Sequence, residues 1–268
     1  MDERRFSFLL AALAGLVAVA VLFDVGRRSV RSRSPVAAPV SQADSVAVVD
    51  TMASGSITQA GAARPTPSDS GSSYMEELGR ADARRQIRAS AGVTYLSEIV
   101  AASHDSMLHR WDGRYDRPVR VYVPRSSRAA NFQSSYADAV RAAFRSWEDV
   151  GLPVRFDLTG DSTDADATFG WRAQFEIERT GQTDLQWDGS GRIQSGVVTL
   201  ATFDPEGRPM GPEEMRVVAL HEIGHLLGLD HSPDSTDVMF TVVKVRQLSR
   251  RDIETARMLY RLSPGTLR

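Results

Sequence analysis

The run from His221 to His231, HEIGHLLGLDH, constrains this chain more than any other feature. It follows an apolar stretch, MRVVAL, that reads as the start of a helix. Residues four apart lie on one helix face, so His221 and His225 direct their imidazoles at one point. Burying histidines together is costly unless a metal or hydrogen bonds compensate. Gly228 can take backbone angles that other residues avoid, which lets the helix end there and the chain turn. The turn brings His231 round as a third ligand. Zinc takes neutral histidine nitrogens at about 2.0–2.1 Å in a tetrahedral shell, and three protein ligands with a position left for water mark a catalytic site rather than a structural one. Glu222, beside the first ligand, is placed as general base toward that water. The competing reading is an amphipathic helix with core histidines and a capping glycine. Five fixed positions weigh against it, where a bare HExxH would not.

The full HExxHxxGxxH resembles the zinc motif of the metzincin metalloproteases. Ser232, directly after the third histidine, makes it similar to the matrixin branch, the matrix-metalloprotease relatives. Met239 in TDVMF stands where that family carries its methionine turn, and LSRRDIETARMLYRL, residues 248–262, is similar to its C-terminal helix, opened by LSxxDI and closed by LY. The resemblance covers about residues 107–262 and is strong from Val217 onward. It implies an α+β zincin fold, a twisted mixed β-sheet with an active-site helix and a C-terminal helix. It also implies a zinc-dependent endopeptidase in which Met239 floors the site without ligating the metal. LATFDP, residues 200–205, resembles the edge strand on which such enzymes bind extended substrate. The family usually places a histidine of a second, structural zinc where Thr202 stands, so one catalytic zinc and no structural one is expected. The chain has no cysteine, which rules out the family's cysteine latch.

With 268 residues, 42% of them hydrophobic, the chain can build one good core with appendages. A net charge of −2 and a pI of about 6.2 give no basic bias toward nucleic acid. The expected partners are polypeptide substrates and a membrane, and the chain is expected as a monomer. Phe6 to Phe23 is an uncharged run of 18 residues, just long enough to span a bilayer. An uncleaved anchor is favoured over a cleaved signal peptide, because Pro39 follows the small residues Val36-Ala37-Ala38. Arg4 and Arg5 precede the run, and Arg27, Arg28, Arg31 and Arg33 follow it, which by basic residues alone puts the C-terminal side in the cytoplasm. The family resemblance implies the opposite, and an extracytoplasmic protease domain is the expectation, since long domains translocate despite flanking charge. The expected organisation is an anchor or signal segment over 1–23, a Ser/Ala/Pro-rich linker over 24–73, a partly helical stem over 74–106 and a catalytic domain over 107–268. The segment over 74–106 could serve as a stem or a pro-segment, and its charged sequence MEELGRADARRQIRAS favours the plainer reading of a solvated helix.

Within the domain, RPVRVYV over 117–123 alternates and predicts a strand. Phe132, Tyr136, Val140, Phe144 and Trp147 fall at helical spacing and predict a core stripe over 132–149. PVRFDL and ATFGWRA predict strands, and DLQWD and RIQSGVVTLAT predict a hairpin about DGSG. The motif helix is expected over about 212–228, opened by Pro212, and a last helix over about 250–261, capped by Ser249 with Asp252. Asp161, Asp164, Asp166 and Asp188 offer carboxylates for calcium, against the plainer reading of solvated turns. Two other functions remain beside proteolysis: a catalytically silent zinc-containing recognition module, which the intact Glu222 disfavours, and a zinc hydrolase acting on a non-peptide amide.

Overall fold

The computed structural model describes residues 48–49, 70–103 and 106–268. The segment Phe6–Phe23 and most of the linker lie outside these. Among the described residues no helix is long and apolar enough to cross a membrane.

Helix α1 (Ser70–Ala89) and helix α2 (Leu96–Ala102) precede the sheet. Strands β1 (Val48–Val49) and β8 (Val242–Val243) pair antiparallel, as do β2 (Met107–Leu108) and β9 (Gly265–Thr266). The main sheet has five strands: β3 (Val119–Tyr122), β4 (Phe156–Asp157), β5 (Ala167–Arg172), β6 (Gly181–Trp187) and β7 (Ile193–Ala201). Their order is β4-β3-β5-β7-β6. The first four in that order run parallel, and β6 closes one edge antiparallel to β7. The β6–β7 hairpin turns at Asp188–Gly191, where Asp188 Oδ1 accepts from Ser190 N and Arg192 N, the local chemistry expected of DGSG.

This corrects the expectation for LATFDP. Leu200 and Ala201 end β7, which is paired on both sides. Thr202 is fully buried, and its hydroxyl donates to Ala130 O at 2.5 Å. The sheet edge beside the motif helix is β6, from the first arm of the hairpin.

Helix α3 (Ser135–Glu148) buries Tyr136, Val140, Phe144 and Trp147 along one stripe. Phe144 packs on Phe156 and Phe169, with ring centroids 4.8 and 5.6 Å away. Helix α4 (Pro212–Leu226) carries the motif and is buried from Val217 to Leu226. Its apolar residues Val217, Val218, Leu220, Ile223 and Leu226 place that stretch in the core. Its ends are built as the sequence predicts: Pro212 opens it, and Glu214 Oε2 accepts from Gly211 N at 2.6 Å. The indole of Trp147 donates to Leu220 O and that of Trp111 to Leu226 O, both at 2.8 Å, tying α4 to its surroundings. Helix α5 (Arg250–Arg261) starts with a reciprocal capping box: Ser249 Oγ accepts from Asp252 N, and Asp252 Oδ2 from Ser249 N.

The core also reaches upstream of Met107, the expected start of the folded domain. Ile87, Tyr95, Leu96 and Ile99 are buried in it. Tyr95 N donates to Thr255 Oγ1 at 3.1 Å, and Arg84 donates to Leu267 O. The segment expected as a stem therefore contributes apolar packing to the same body that carries the motif.

Candidate active site

His221 and His225 project from α4, one turn apart. His221 Nδ1 lies 2.7 Å from Val238 O, and His225 Nδ1 lies 2.8 Å from Leu229 O. A carbonyl only accepts, so each Nδ1 carries its ring proton and each Nε2 presents a lone pair. The two Nε2 atoms stand 3.1 Å apart. His231 completes a group whose ligand atoms all lie within 4.8 Å of one another. Nitrogens of a tetrahedral zinc shell stand about 3.3 Å apart when each is about 2.0–2.1 Å from the ion. Lone pairs converging at that spacing fit a bound cation, and the donor set fits zinc. Among the described residues this is the group of side chains able to hold a metal.

The backbone around the triad explains the convergence. Helix α4 ends in a Schellman motif: Gly228 N donates to His225 O at 2.8 Å and Leu229 N to Gly224 O at 3.0 Å. Gly228 has φ +96°, and a Cβ there would sit 2.0 Å from His109 O, so only glycine fits. The turn delivers Leu229 O to His225 and swings His231 back toward the helix. Ser232 N then donates to Met239 O at 2.8 Å. Met239 is fully buried beneath the site, and its sulfur fills the space that a Cβ on Gly224 would need, 2.3 Å away.

Asp252 secures the Val238 carbonyl that orients His221. Its Oδ2 accepts from Val238 N at 2.9 Å, and its Oδ1 accepts from Tyr95 Oη at 3.0 Å. Burial pushes the Asp252 carboxyl above the usual carboxylate range, and the N–H groups of Val238 and Ser249 offset part of that rise. Tyr95 is pushed well up in turn, by its own burial first and then by the charge of Asp252. A line of contacts thus runs from the upstream segment through α5 to His221.

Glu222 is fully buried between α4 and β6. Its Oε2 accepts from Thr183 Oγ1 at 2.6 Å, and its carboxylate lies against Gly181. Sequence reading identifies Glu222 but misses Thr183 and Gly181. Gly181 opens β6 and Thr183 lies two residues on, and neither stands in a sequence pattern that points to Glu222.

The acidic residues considered for calcium engage neighbouring groups. Asp166 Oδ2 accepts from Arg120 N at 2.9 Å and pairs with Arg114. Asp161 accepts from Thr163 N, and Asp164 faces Arg120 at 4.0 Å. Asp188 holds its own turn. They do not gather into a cation cage among the described residues.

A profile of the matrixin family matches residues 121–261, and so covers both the sheet and the motif. Metalloendoproteinase 1 of Glycine max is 39% identical over 85 residues, 30% of this chain and 24% of that protein. Metalloendoproteinase 1-MMP of Arabidopsis thaliana is 31% identical over 120 residues, 40% of this chain and 31% of that protein. The chain thus spans about a quarter to a third of the length of these curated relatives.

Proposed function

The chain belongs to the matrixin family, and from that premise we propose that it is a zinc-dependent endopeptidase whose ligands are His221, His225 and His231 and whose general base is Glu222. The observation that carries the reading is the 3.1 Å approach of two imidazole nitrogens whose partner nitrogens are both committed to carbonyls. Bound there, zinc would supply Lewis-acid chemistry, polarising a scissile carbonyl and making water acidic.

The chain's own groups do the rest. The Val238 and Leu229 carbonyls fix the histidine tautomers and ring orientations. Glu222 takes a proton from the attacking water and returns one to the leaving amine. Its burial removes competing solvent from that transfer. Edge strand β6 supports polypeptide as the substrate class, since an extended chain can add to it by main-chain hydrogen bonds.

The uncharged run Phe6–Phe23 supports a membrane anchor with residues 107–268 as an extracytoplasmic catalytic domain. If the anchor is uncleaved, the full chain stays in the membrane fraction after an alkaline carbonate wash, and a soluble product starting near Pro39 overturns it. The activity is tested on casein, with and without chelator. Chelation should abolish cleavage, and Glu222→Ala should lose about 10²–10⁴-fold while keeping its metal. Cleavage that persists in chelator, or a Glu222→Ala rate within a few-fold of wild type, contradicts the assignment.

A further inference from the structure

Strand β6 alternates its side chains across the sheet, and Gly181 and Thr183 lie buried on its α4 face. Both meet Glu222. The Thr183 hydroxyl stands 2.6 Å from Glu222 Oε2 and 3.1 Å from Glu222 O, the backbone carbonyl of the same residue. One hydroxyl has one proton, and the shorter contact is the length of a charge-assisted O–H···O⁻ bond, so the carboxylate receives it. Two residues back, the backbone of Gly181 passes directly beneath the carboxylate. A Cβ there would fall 2.2 Å from Oε1, 2.6 Å from Cδ and 2.7 Å from Cγ. No rotation of one terminal atom relieves all three contacts.

A glutamate side chain has three rotatable bonds, and a general base works only within hydrogen-bond reach of the proton it takes. We propose that Thr183 is the positioning residue for Glu222, holding its carboxylate in one orientation in the clearance left by Gly181. The proposal rests on the reading of Glu222 as general base. Thr183 acts through Glu222 and touches neither metal nor substrate. Because β6 is also the sheet edge, one strand aligns the base and offers a rail for the substrate, so base and scissile bond share a frame.

The test uses the full-length chain with Thr183→Val, Thr183→Ser and Glu222→Gln. For each, kcat and KM on one peptide, bound zinc per chain and Tm are measured. A displacement of about 1 Å at a catalytic group can cost about 10²-fold. Thr183→Val should therefore lower kcat by about tenfold to a hundredfold, with KM changed by less than about twofold. Zinc content should match wild type. Thr183→Ser keeps the hydroxyl and should recover kcat to within about threefold of wild type. Wild-type kcat in Thr183→Val overturns the proposal. So does a Thr183→Ser defect equal to that of Thr183→Val, or a loss that tracks zinc content. If Thr183→Val does not fold, Thr183→Ala takes its place under the same criteria. Glu222→Gln separates the two layers: if it stays active, the general-base reading fails and the proposal with it. If it is inactive while Thr183→Val is active, the positioning role alone fails.

Discussion

Gly228→Ala tests how His231, the proposed third ligand, is delivered. Gly228 has φ +96°, and an alanine Cβ would approach His109 O to 2.0 Å and His109 C to 2.9 Å. A left-handed backbone costs an L-residue about 1–2 kcal/mol. Overlap with backbone that cannot swing aside adds about 1–3 kcal/mol, as overpacking does. The sum is about 2–5 kcal/mol, and at roughly 2–4 °C per kcal/mol for a domain of this size Tm should fall by about 4–20 °C. Gly207 is the control, with φ +78° and nothing within 4 Å of a built Cβ, so Gly207→Ala carries the backbone term alone. The turn at Gly228 also places Leu229 O on His225, and loss of such an orienting contact typically weakens metal binding by about 10–100-fold. Thermal unfolding by circular dichroism and zinc titration of both variants read out the two effects. A Gly228→Ala protein as stable as Gly207→Ala, with wild-type zinc affinity, would refute the reasoning.

Three further outcomes are expected. Because Tyr95, Leu96 and Ile99 lie in the core, a protein of residues 104–268 should be less stable than one of residues 70–268. Turnover of 70–268 should equal that of 24–268 if the linker is only a tether, and a large gain on truncation would make the linker inhibitory. Asp166 concerns pH. Burial raises its pKa, but the Arg120 N–H and guanidinium, with Arg114, more than offset this and hold the carboxyl below its usual range. Its folded-state pKa is depressed, so its contribution is present at neutral pH and lost as pH falls. The stability gap between wild type and Asp166→Asn should close as pH falls through and below the usual carboxylate range, and a constant gap would contradict the pairing.

The parts of this fold legible in the sequence are those with local causes. Pro212 opens α4, and Ser249 and Asp252 cap α5 as their spacing predicts. The apolar stripe of α3 and the DGSG hairpin are found where periodicity and turn chemistry put them. The converging histidines are legible because helix geometry and one glycine suffice to bring them together. What sequence cannot show is which arm of a hairpin ends at a sheet edge. LATFDP looks like an edge strand, yet Leu200 and Ala201 are buried at the end of β7, which has neighbours on both sides. Nor can local patterns reveal Tyr95 reaching Asp252 across 157 positions of chain, or Thr183 reaching Glu222 across 39. Those contacts exist only once the sheet and helices are stacked.

The central claim is that three histidines of one short run hold a catalytic zinc. Metal analysis of the purified chain and of His221→Ala, His225→Ala and His231→Ala tests it directly. The account predicts one zinc per chain in wild type and loss of most of it in each variant, because two histidines do not hold the ion. Stoichiometric zinc in His231→Ala, or none in the wild-type chain, would contradict it.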